Sequence, residues 1–420
     1  MPVPRDSHLD SSFALLREGY DFIGIRCRRL RSPVFQSRIL LQRTYCLQGH
    51  DAAAMFYENP NLSRVGAAPR MLVKTLFGAG AIQGMDGPAH RARKALFIEL
   101  LTRESAARLV EGVEQELLDS LDAWVAAESV DVLSELQGVL YRAVNRWAGV
   151  PAEHLSARHQ AQLVALIEGA GSAGLEHFRG RSARKQAERW GAELIEAQRR
   201  AGGTLLPADS PAAKIAAYRE NAELLAPRVA AVELLNVLRP IVAVAYFVLY
   251  GLVELARHPQ WRESLQENDR LLLPFVQEVR RLYAFFPFTA ARVVNDFQWQ
   301  GLELKRGSRV LLDLYGSNRD PKVWPEPDRF HPPRFVDLPL DAYTLISQGG
   351  GDHHTGHRCA GEWLTIDIMQ TCLRVLCRRV RYQAPVIEEQ PLRNCFPMKF
   401  SRRFEISRVQ WLVEPGRTSE

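Results

Sequence analysis

Cys359 follows a glycine-rich segment and two basic residues, His357 and Arg358. Apolar side chains then recur at helical spacing and predict a helix from Ala360 to Val380. The sulfur would lie at the N-terminus of this helix, where the dipole and the cations favour a thiolate. Glycine lets a backbone approach a flat, bulky group, and a thiolate in such a loop is one of the axial ligands of haem iron. The alternative is a buried structural cysteine; the glycines concerned are Gly349, Gly350, Gly351 and Gly356.

Arg239 lies in a stretch whose other residues are nearly all apolar, within a helix predicted from Val229 to Arg257. No acidic residue lies three or four positions away, and Glu233, six positions before it, falls on a different face of the helix. An unpaired buried guanidinium is costly, so we expect a partner from elsewhere, and a ligand carboxylate suits its planar fork. The alternatives are a distant acid and a haem propionate. Pro240 removes a backbone donor and is expected to kink the helix, which would open room there.

Glu278 and Arg281 lie three residues apart on a helix predicted from Asp269 to Tyr283, and therefore share one face. An exposed pair of this kind is common and contributes only about 0–1 kcal/mol. Most neighbouring residues of this helix are apolar, which favours a covered pair instead. A proline-rich, irregular segment from Pro321 to Phe335 follows, and Cys359 comes after it.

Other elements must hold these residues in place, and most of them are predicted to be helices, with a small β portion. We therefore predict a mainly α fold. No flexible linker divides the chain, so we expect one domain, 1–420. Strands are expected at Ile39–Leu47, Ala291–Asn295, Phe297–Leu304 and Arg309–Leu312. Further helices are expected at Ser12–Arg28, Arg70–Leu76, His90–Leu101, Glu104–Ala126, Ser134–Gly149, Ala157–Glu168 and Ser182–Arg200.

Composition limits the function classes. The 420 residues are 46% hydrophobic and 24% charged, which is ordinary for a globular protein. The six cysteines show no disulfide or zinc-ligand spacing, which indicates a reducing compartment. The sequence shows no signal peptide, and no uncharged apolar stretch is long enough to span a bilayer. We therefore expect a cytoplasmic protein without a transmembrane segment. The net charge of +6 is scattered and carries no nucleic-acid module. It favours attraction of an anionic small molecule over nucleic-acid binding.

The Glu278-x-x-Arg281 pair, the segment from Trp324 to Phe335, and Cys359 followed by Gly361 together resemble the haem-thiolate cytochrome P-450 superfamily. The resemblance covers essentially the whole chain. It implies a cytochrome P-450-like fold that holds heme b (iron protoporphyrin IX), with the Cys359 thiolate as the iron ligand.

Two departures from the superfamily pattern narrow the resemblance. Its cysteine loop usually has Phe seven residues and Gly four residues before the cysteine, whereas this chain has Asp352 and Thr355 there. Its monooxygenases carry an acid–alcohol pair in the long central helix, whereas this chain has Arg239 and Pro240. Both features resemble the fatty-acid peroxygenase branch, which implies hydrogen peroxide as the oxidant and no obligatory redox partner. A fatty-acid carboxylate held by Arg239 would then serve as the base and the acid that peroxide requires.

The resemblance also assigns several other residues. Gln83 falls at a position where branch members that chiefly decarboxylate carry His, and where those that chiefly hydroxylate carry Gln. The alternative role for Gln83 is that of a loop residue that hydrogen-bonds to backbone groups. His357, His90, Lys94 and Arg64 would bind the haem propionates, although a solvated face is the alternative for the helical pair His90 and Lys94. Aromatic residues that would line an acyl channel, with core packing as the alternative, are Phe77, Phe285, Phe286 and Phe288.

We therefore predict peroxide-dependent hydroxylation of long-chain fatty acids at the α or β carbon. Arg239, Pro240 and Gln83 form the predicted catalytic group, and a terminal alkene is allowed as a second product. Two rival functions stay open: a reductase-dependent haem-thiolate monooxygenase, and a non-catalytic haem or fatty-acid binder.

Overall fold

A 31-residue helix, Pro227–Arg257, forms the centre of the protein and is buried along most of its length. This central helix packs against Leu175–Arg200, Val132–Ala148 and Glu362–Arg378. In the part of the chain that the structure describes, it is the one helix long and apolar enough to cross a bilayer, yet 94% of that apolar window is buried inside the protein. Burial on this scale is typical of a core helix.

The structure is a computed structural model and describes residues 3–170 and 174–412. Its architecture is mainly α, as predicted. The α-helices are Ser12–Glu18, Phe22–Leu30, His50–Glu58, Arg70–Leu72, Gly87–Leu100, Arg103–Ala126, Val132–Ala148, Ala157–Glu168, Leu175–Arg200, Pro211–Ala217, Pro227–Arg257, Gln260–Glu267, Leu272–Leu282, Leu314–Ser317, Arg334–Asp337 and Glu362–Arg378. Short 3-10 turns occur at Gly19–Asp21, Ile82–Gly84, Ala152–His154 and Asp269–Leu271, and a π turn occurs at Val73–Phe77.

The larger sheet has five strands in the order Val34–Ile39, Gln42–Leu47, Arg309–Asp313, Phe288–Val293 and Leu62–Ser63. Only the second and third strands in that order run parallel, and all other neighbours are antiparallel. Two smaller hydrophobic clusters pack against this sheet, while the main core surrounds the central helix. The smaller sheets comprise Val380–Gln383 with Glu405–Trp411 and Ser129–Asp131, Arg219–Glu220 with Glu223–Leu224, and Phe297–Trp299 with Leu302–Leu304.

Several predicted elements are divided in the structure. The helix expected over Ser12–Arg28 breaks at Gly19, whose φ is 54° and where a Cβ would lie 1.8 Å from the carbonyl oxygen of Arg393. Only glycine allows so close a backbone approach. The strand expected over Ile39–Leu47 is instead the second half of a hairpin, with Leu40 and Leu41 in its turn. The predicted segment Phe297–Leu304 is likewise a hairpin, closed at Gln300 and Gly301.

Candidate functional site

Cys359 lies at the end of a loop, the cysteine loop, which is hydrogen-bonded to the buried helix Leu272–Leu282. Arg280 on that helix donates a hydrogen bond to Oε1 of Gln348 (3.1 Å), and the Gln348 amide nitrogen lies 3.8 Å from the Cys359 sulfur. The backbone N–H of Cys359 donates to the Gln348 carbonyl at 3.0 Å. Arg280 also forms a buried ion pair with Glu362, at the start of the following helix. The thiol is therefore fixed by a connected polar network.

Burial dominates the ionisation of Cys359. Burial raises the pKa of its thiol, and Glu362 adds to that effect, while the Gly361 N–H, Lys94 and Arg280 act in the opposite direction. The local N–H and cations thus favour a thiolate, in the predicted direction, but burial outweighs them. The helix begins at Glu362 and not at Ala360, which brings a carboxylate close to the sulfur. A coordinated metal ion would reverse this balance, because a coordinating thiol is deprotonated.

The loop glycines serve the packing of the loop. A Cβ on Gly350 would lie 2.8 Å from the Ala342 carbonyl, and one on Gly356 would lie 2.6 Å from the carbonyl of Asp352. Gly349 and Gly351 have φ values of 95° and 82°, a region that favours glycine. Close approach to protein backbone and a left-handed conformation therefore explain these glycines without a flat ligand.

Basic side chains gather beside the cysteine loop. His90 and Lys94 are 4% and 3% exposed, so the solvated helix face considered for them is wrong. The His90 ring lies against the His357 ring, with centroids 4.0 Å apart and planes tilted by 34°, and His357 Nε2 lies 3.0 Å from a carboxylate oxygen of Asp86. Lys94 donates to the carbonyl of Arg358. The helix Gly87–Leu100 and the cysteine loop thus bring three of the predicted propionate ligands together.

Arg64, the fourth predicted propionate ligand, is positioned by the larger sheet and by Asp86. Its guanidinium donates to Thr289 Oγ1 and to the Ala290 carbonyl, each at 2.8 Å, and lies 4.4 Å above the Phe56 ring. Its backbone N–H donates to Asp86 at 2.7 Å.

The charges in this cluster indicate an anion. Burial, reinforced by the positive charges of His357 and Lys94, lowers the pKa of His90 to about 4. Burial likewise lowers the pKa of Lys94, His357 and Arg64. Among the described residues, Asp86 is the carboxylate in direct contact with this cluster, through His357 and the backbone of Arg64. Four basic side chains against one carboxylate fit a ligand that carries two carboxylates, as haem does, because bound carboxylates would favour the charged forms of these groups.

The central helix shows where such a ligand fits. Pro240 is exposed, although every other residue from Ala230 to Leu255 is buried. An exposed residue in the middle of a buried helix requires an open space beside it. The residues present fit a haem: Cys359 would ligate its iron, and His90, Lys94, His357 and Arg64 would hold its carboxylates.

The Glu278–Arg281 pair is buried, and the alternative of a surface pair is wrong. Both side chains are fully buried, and they form two hydrogen bonds, at 2.7 and 2.9 Å. Arg334 donates a further bond to Glu278 at 3.2 Å, and Arg281 also donates to the carbonyls of Asn318 and Pro327. The pair therefore ties the helix Leu272–Leu282 to the proline-rich segment ahead of the cysteine loop.

Arg239 has no ion pair among the described residues. One of its terminal nitrogens donates to the Leu76 carbonyl at 2.6 Å and the other to the Asn236 side chain at 3.3 Å. Its Nε is buried and makes no hydrogen bond within the same residues. Burial, reinforced by the positive charge of Arg184, lowers the pKa of Arg239 to about 9, so it stays charged at pH 7. The group is a buried cation with an unused donor.

A polar chain missed by the sequence analysis links Arg239 to Gln83. The Asn236 side-chain amide donates to Glu233 at 3.0 Å and lies 3.5 Å from Oε1 of the Gln83 side chain. Glu233 in turn accepts hydrogen bonds from Arg93 (2.5 Å) and from the Ile82 backbone N–H (3.0 Å). Asn236 is thus the residue that Gln83 and Arg239 share. Helical spacing places Asn236 three residues before Arg239, which could have suggested it.

A second buried arginine, Arg184, was also missed. It donates to the same Leu76 carbonyl as Arg239, at 3.0 Å, and to the Phe77 carbonyl at 3.1 Å. Glu188, one turn along the helix Leu175–Arg200, forms its ion pair. No local pattern in the sequence distinguishes Arg184 from the other arginines of that helix.

The remaining predicted residues lie near these two groups. The central helix runs without interruption through Pro240, whose missing N–H leaves the Asn236 carbonyl without its helical donor, and the predicted kink stays a prediction. Phe77 ends the π turn that carries the Leu76 carbonyl, and it is half-buried. Phe285 contacts Tyr246, Phe247 and Phe286, and it is half-buried, as are Phe286 and Phe288. Half-buried apolar rings are consistent with either predicted role.

Comparisons with known proteins bear on the whole arrangement. Residues 244–396 match the family model described as Cytochrome P-450. A variant of cytochrome P-450SP alpha (CYP152B1) is 38% identical, with a TM-score of 0.92 over 96% of this chain and 99% of that one. Cytochrome P-450EX alpha (CYP152N1), solved with myristic acid, is 36% identical, with a TM-score of 0.92 over 97% of this chain and 99% of that one. Ligand-free cytochrome P-450 OleT is 31% identical, with a TM-score of 0.93 over 98% and 100% of the two chains.

Proposed function

Because the chain belongs to the fatty-acid peroxygenase branch of the cytochrome P-450 superfamily, we propose that it uses hydrogen peroxide to hydroxylate long-chain fatty acids at the α or β carbon. The proposal includes heme b bound through Cys359, a single haem-thiolate domain and a cytoplasmic enzyme that needs no redox partner. When bound, the haem supplies the iron chemistry that activates the oxygen of peroxide.

The observation that carries this proposal is the unpaired charge of Arg239. A buried guanidinium without a carboxylate partner is unfavourable unless a ligand supplies one. Its unused Nε donor offers a direct hydrogen bond to that ligand, and the space beside Pro240 gives the ligand room. A fatty-acid carboxylate satisfies both the charge and the donor, and it leaves the alkyl chain to apolar surroundings.

The bound carboxylate would do more than anchor the substrate. Peroxide must lose a proton from one oxygen and regain one on the leaving oxygen, and a carboxylate held at this position can accept and return that proton. No described side chain on the central helix next to Arg239 is an acid free to do so, because Glu233 is already bound by Arg93, Asn236 and the Ile82 amide. Substrate binding therefore completes the catalytic group.

The carboxylate also determines the position of reaction. Fixing the first carbon at Arg239 places the adjacent α and β carbons nearest the reacting oxygen by proximity alone. Gln83, which contacts Asn236, offers an amide and no acidic proton. We therefore expect hydroxy acids to exceed terminal alkenes among the products.

Product analysis by mass spectrometry tests the proposal. The purified haem-loaded protein, given hydrogen peroxide and a saturated long-chain fatty acid, should yield 2-hydroxy or 3-hydroxy acids. Arg239→Ala should lose this activity, and a short carboxylic acid supplied in trans should restore part of it. Full turnover by Arg239→Ala without such a supplement would refute the substrate-assisted mechanism. Turnover that requires electron-transfer proteins and no peroxide would instead support a reductase-dependent monooxygenase.

A further inference from the structure

An exposed apolar surface lies far along the chain from the cysteine loop, at the first helix and first hairpin. Five large apolar side chains form it, and each exposes more than half of its area. We call it the leucine patch; its members are Leu9 (91% exposed), Phe13 (76%), Leu16 (59%), Leu40 (56%) and Leu41 (81%). Exposed apolar residues are ordinary when scattered, but a contiguous group marks an interaction site.

Hydrogen bonds join the two segments into one surface. The backbone N–H of Leu40 donates to Ser12 Oγ, and that of Leu41 donates to Asp10, each at 2.7 Å. Phe13 and Leu16 lie three residues apart on the helix Ser12–Glu18 and are both exposed, whereas Leu15 packs inward against the small core below. The hairpin tip and the outer face of this helix therefore lie side by side.

Two leucines occupy the hairpin turn, although its backbone conformation disfavours leucine. Strands Val34–Ile39 and Gln42–Leu47 pair up to Ile39 and Gln42, so Leu40 and Leu41 alone form the turn. Their φ values are 52° and 59°, which a two-residue turn of this type requires. Asn, Asp and Gly suit these positions, and leucine does not. Neither leucine packs into a core, so folding does not explain this choice of residues.

Cations surround the patch, and none of them forms a salt bridge in the described ranges 3–170 and 174–412, although Arg38 lies near enough to Asp10 to lower its pKa. Arg38 and Arg43 face each other across the two strands, an unfavourable placement for like charges. The nearby acids are engaged: Asp6 and Glu18 pair with Arg26, and Asp10 holds the hairpin tip. The exposed arginines of the rim are Arg5, Arg17, Arg38 and Arg43.

The geometry points to an anionic lipid bilayer as the partner of the leucine patch. Apolar side chains inserted among the acyl chains, with arginines at the level of the phosphate groups, are the usual pattern of interfacial binding. A second copy of the chain is disfavoured, because a two-fold contact would bring the arginine rims together. Bilayer contact would place the enzyme where long-chain fatty acids partition.

Vesicle cosedimentation of the haem-loaded protein tests this inference. Vesicles of phosphatidylcholine with about a third phosphatidylglycerol should bind the protein, and pure phosphatidylcholine vesicles should bind it on the order of tenfold less, because each arginine near the surface contributes to attraction. Leu40→Asn combined with Leu41→Gly should reduce binding to the anionic vesicles by about tenfold or more. The same double variant should keep or raise the melting temperature, since Asn and Gly suit the turn. Val336→Asn, at a residue of similar exposure (62%) outside the patch, is the matched control and should bind like the unmodified protein.

Three results would overturn the inference. The first is unmodified protein that stays in the supernatant with anionic vesicles at low salt. The second is a double variant that binds as well as the unmodified protein. The third is concentration-dependent self-association that the double variant abolishes, which would assign the patch to a second copy of the chain. All these measurements omit peroxide and turnover, so their failure would leave the proposed reaction untouched.

Discussion

Replacing Arg239 by glutamine should separate substrate affinity from protein stability. The variant removes the charge but keeps a side chain that can hydrogen-bond to the Leu76 carbonyl or to Asn236. If the guanidinium exists to bind a carboxylate, fatty-acid binding should weaken strongly, while the fold should lose nothing. Both outcomes follow from one observation, the absence of an ion pair at Arg239 among the described residues.

The size of the affinity loss follows from the burial of the site. Removing one partner of a buried ion pair costs about 3–5 kcal/mol. Taking the lower end, because glutamine still offers a hydrogen bond, the fatty acid should bind roughly 100-fold more weakly. The same substitution should not destabilise the fold. Burial lowers the pKa of Arg239 to about 9, so its charge destabilises the folded protein at every pH below that value. Arg239→Gln removes that charge, and the melting temperature at pH 7 should hold or rise.

Spectral titration with a fatty acid and with the fatty alcohol of equal length gives the assay. The two ligands share the alkyl chain and differ in charge. The acid should lose about 100-fold in affinity for Arg239→Gln, whereas the alcohol should change little. An equal loss for both ligands would show that Arg239 shapes the pocket and does not recognise the carboxylate. A large fall in melting temperature would contradict the view of an unpaired cation.

Other residues give further tests. Gln83→His should raise the fraction of terminal alkene, measured by gas chromatography, because an imidazolium can donate a proton that an amide cannot. Asn236→Leu should raise KM for fatty acids several-fold and broaden the positions hydroxylated; unchanged product ratios would show that Asn236 does not orient Arg239. Glu233→Gln should lower the free energy of unfolding by about 1.5 kcal/mol, because it removes one charge-assisted hydrogen bond from the buried Arg93, which keeps its second ion pair with Glu220. Burial raises the pKa of Asp313 to about 7, so its carboxyl is neutral in the folded protein between pH 4 and 7 while it is charged in the unfolded chain. Stability should therefore fall as pH rises through this window. Asp313→Asn should flatten that decline in denaturant titrations, and an unchanged slope would contradict it.

The sequence predicted the elements whose signals are local. The central helix was predicted to within two residues of its observed start, Pro227, because apolar residues persist along its whole length. The burial of Glu278 and Arg281 was inferred correctly from the apolar residues around them on one helix. The mainly α fold and the family followed from motifs whose order along the chain is specific.

What the sequence did not predict depends on contacts between distant segments. Arg93 and Glu233 lie 140 residues apart, and Arg184 shares an acceptor with Arg239 from a different helix. The first hairpin was missed because its turn carries Leu40 and Leu41, where Gly or Asn would have signalled it. The helix N-terminus at Cys359 was placed two residues early, and the burial that chiefly raises the pKa of Cys359 depends on contacts between distant segments.

The Leu76 carbonyl accepts hydrogen bonds from two arginines that belong to two different helices, Arg184 on Leu175–Arg200 and Arg239 on the central helix. One oxygen therefore holds both guanidinium groups in place, so Arg239 would already be positioned before the proposed fatty acid binds. The ligand then loses its own freedom on binding, and the protein loses little. A substitution in the helix Leu175–Arg200 that shifts Arg184 would therefore also alter the affinity of Arg239 for the carboxylate of the proposed substrate.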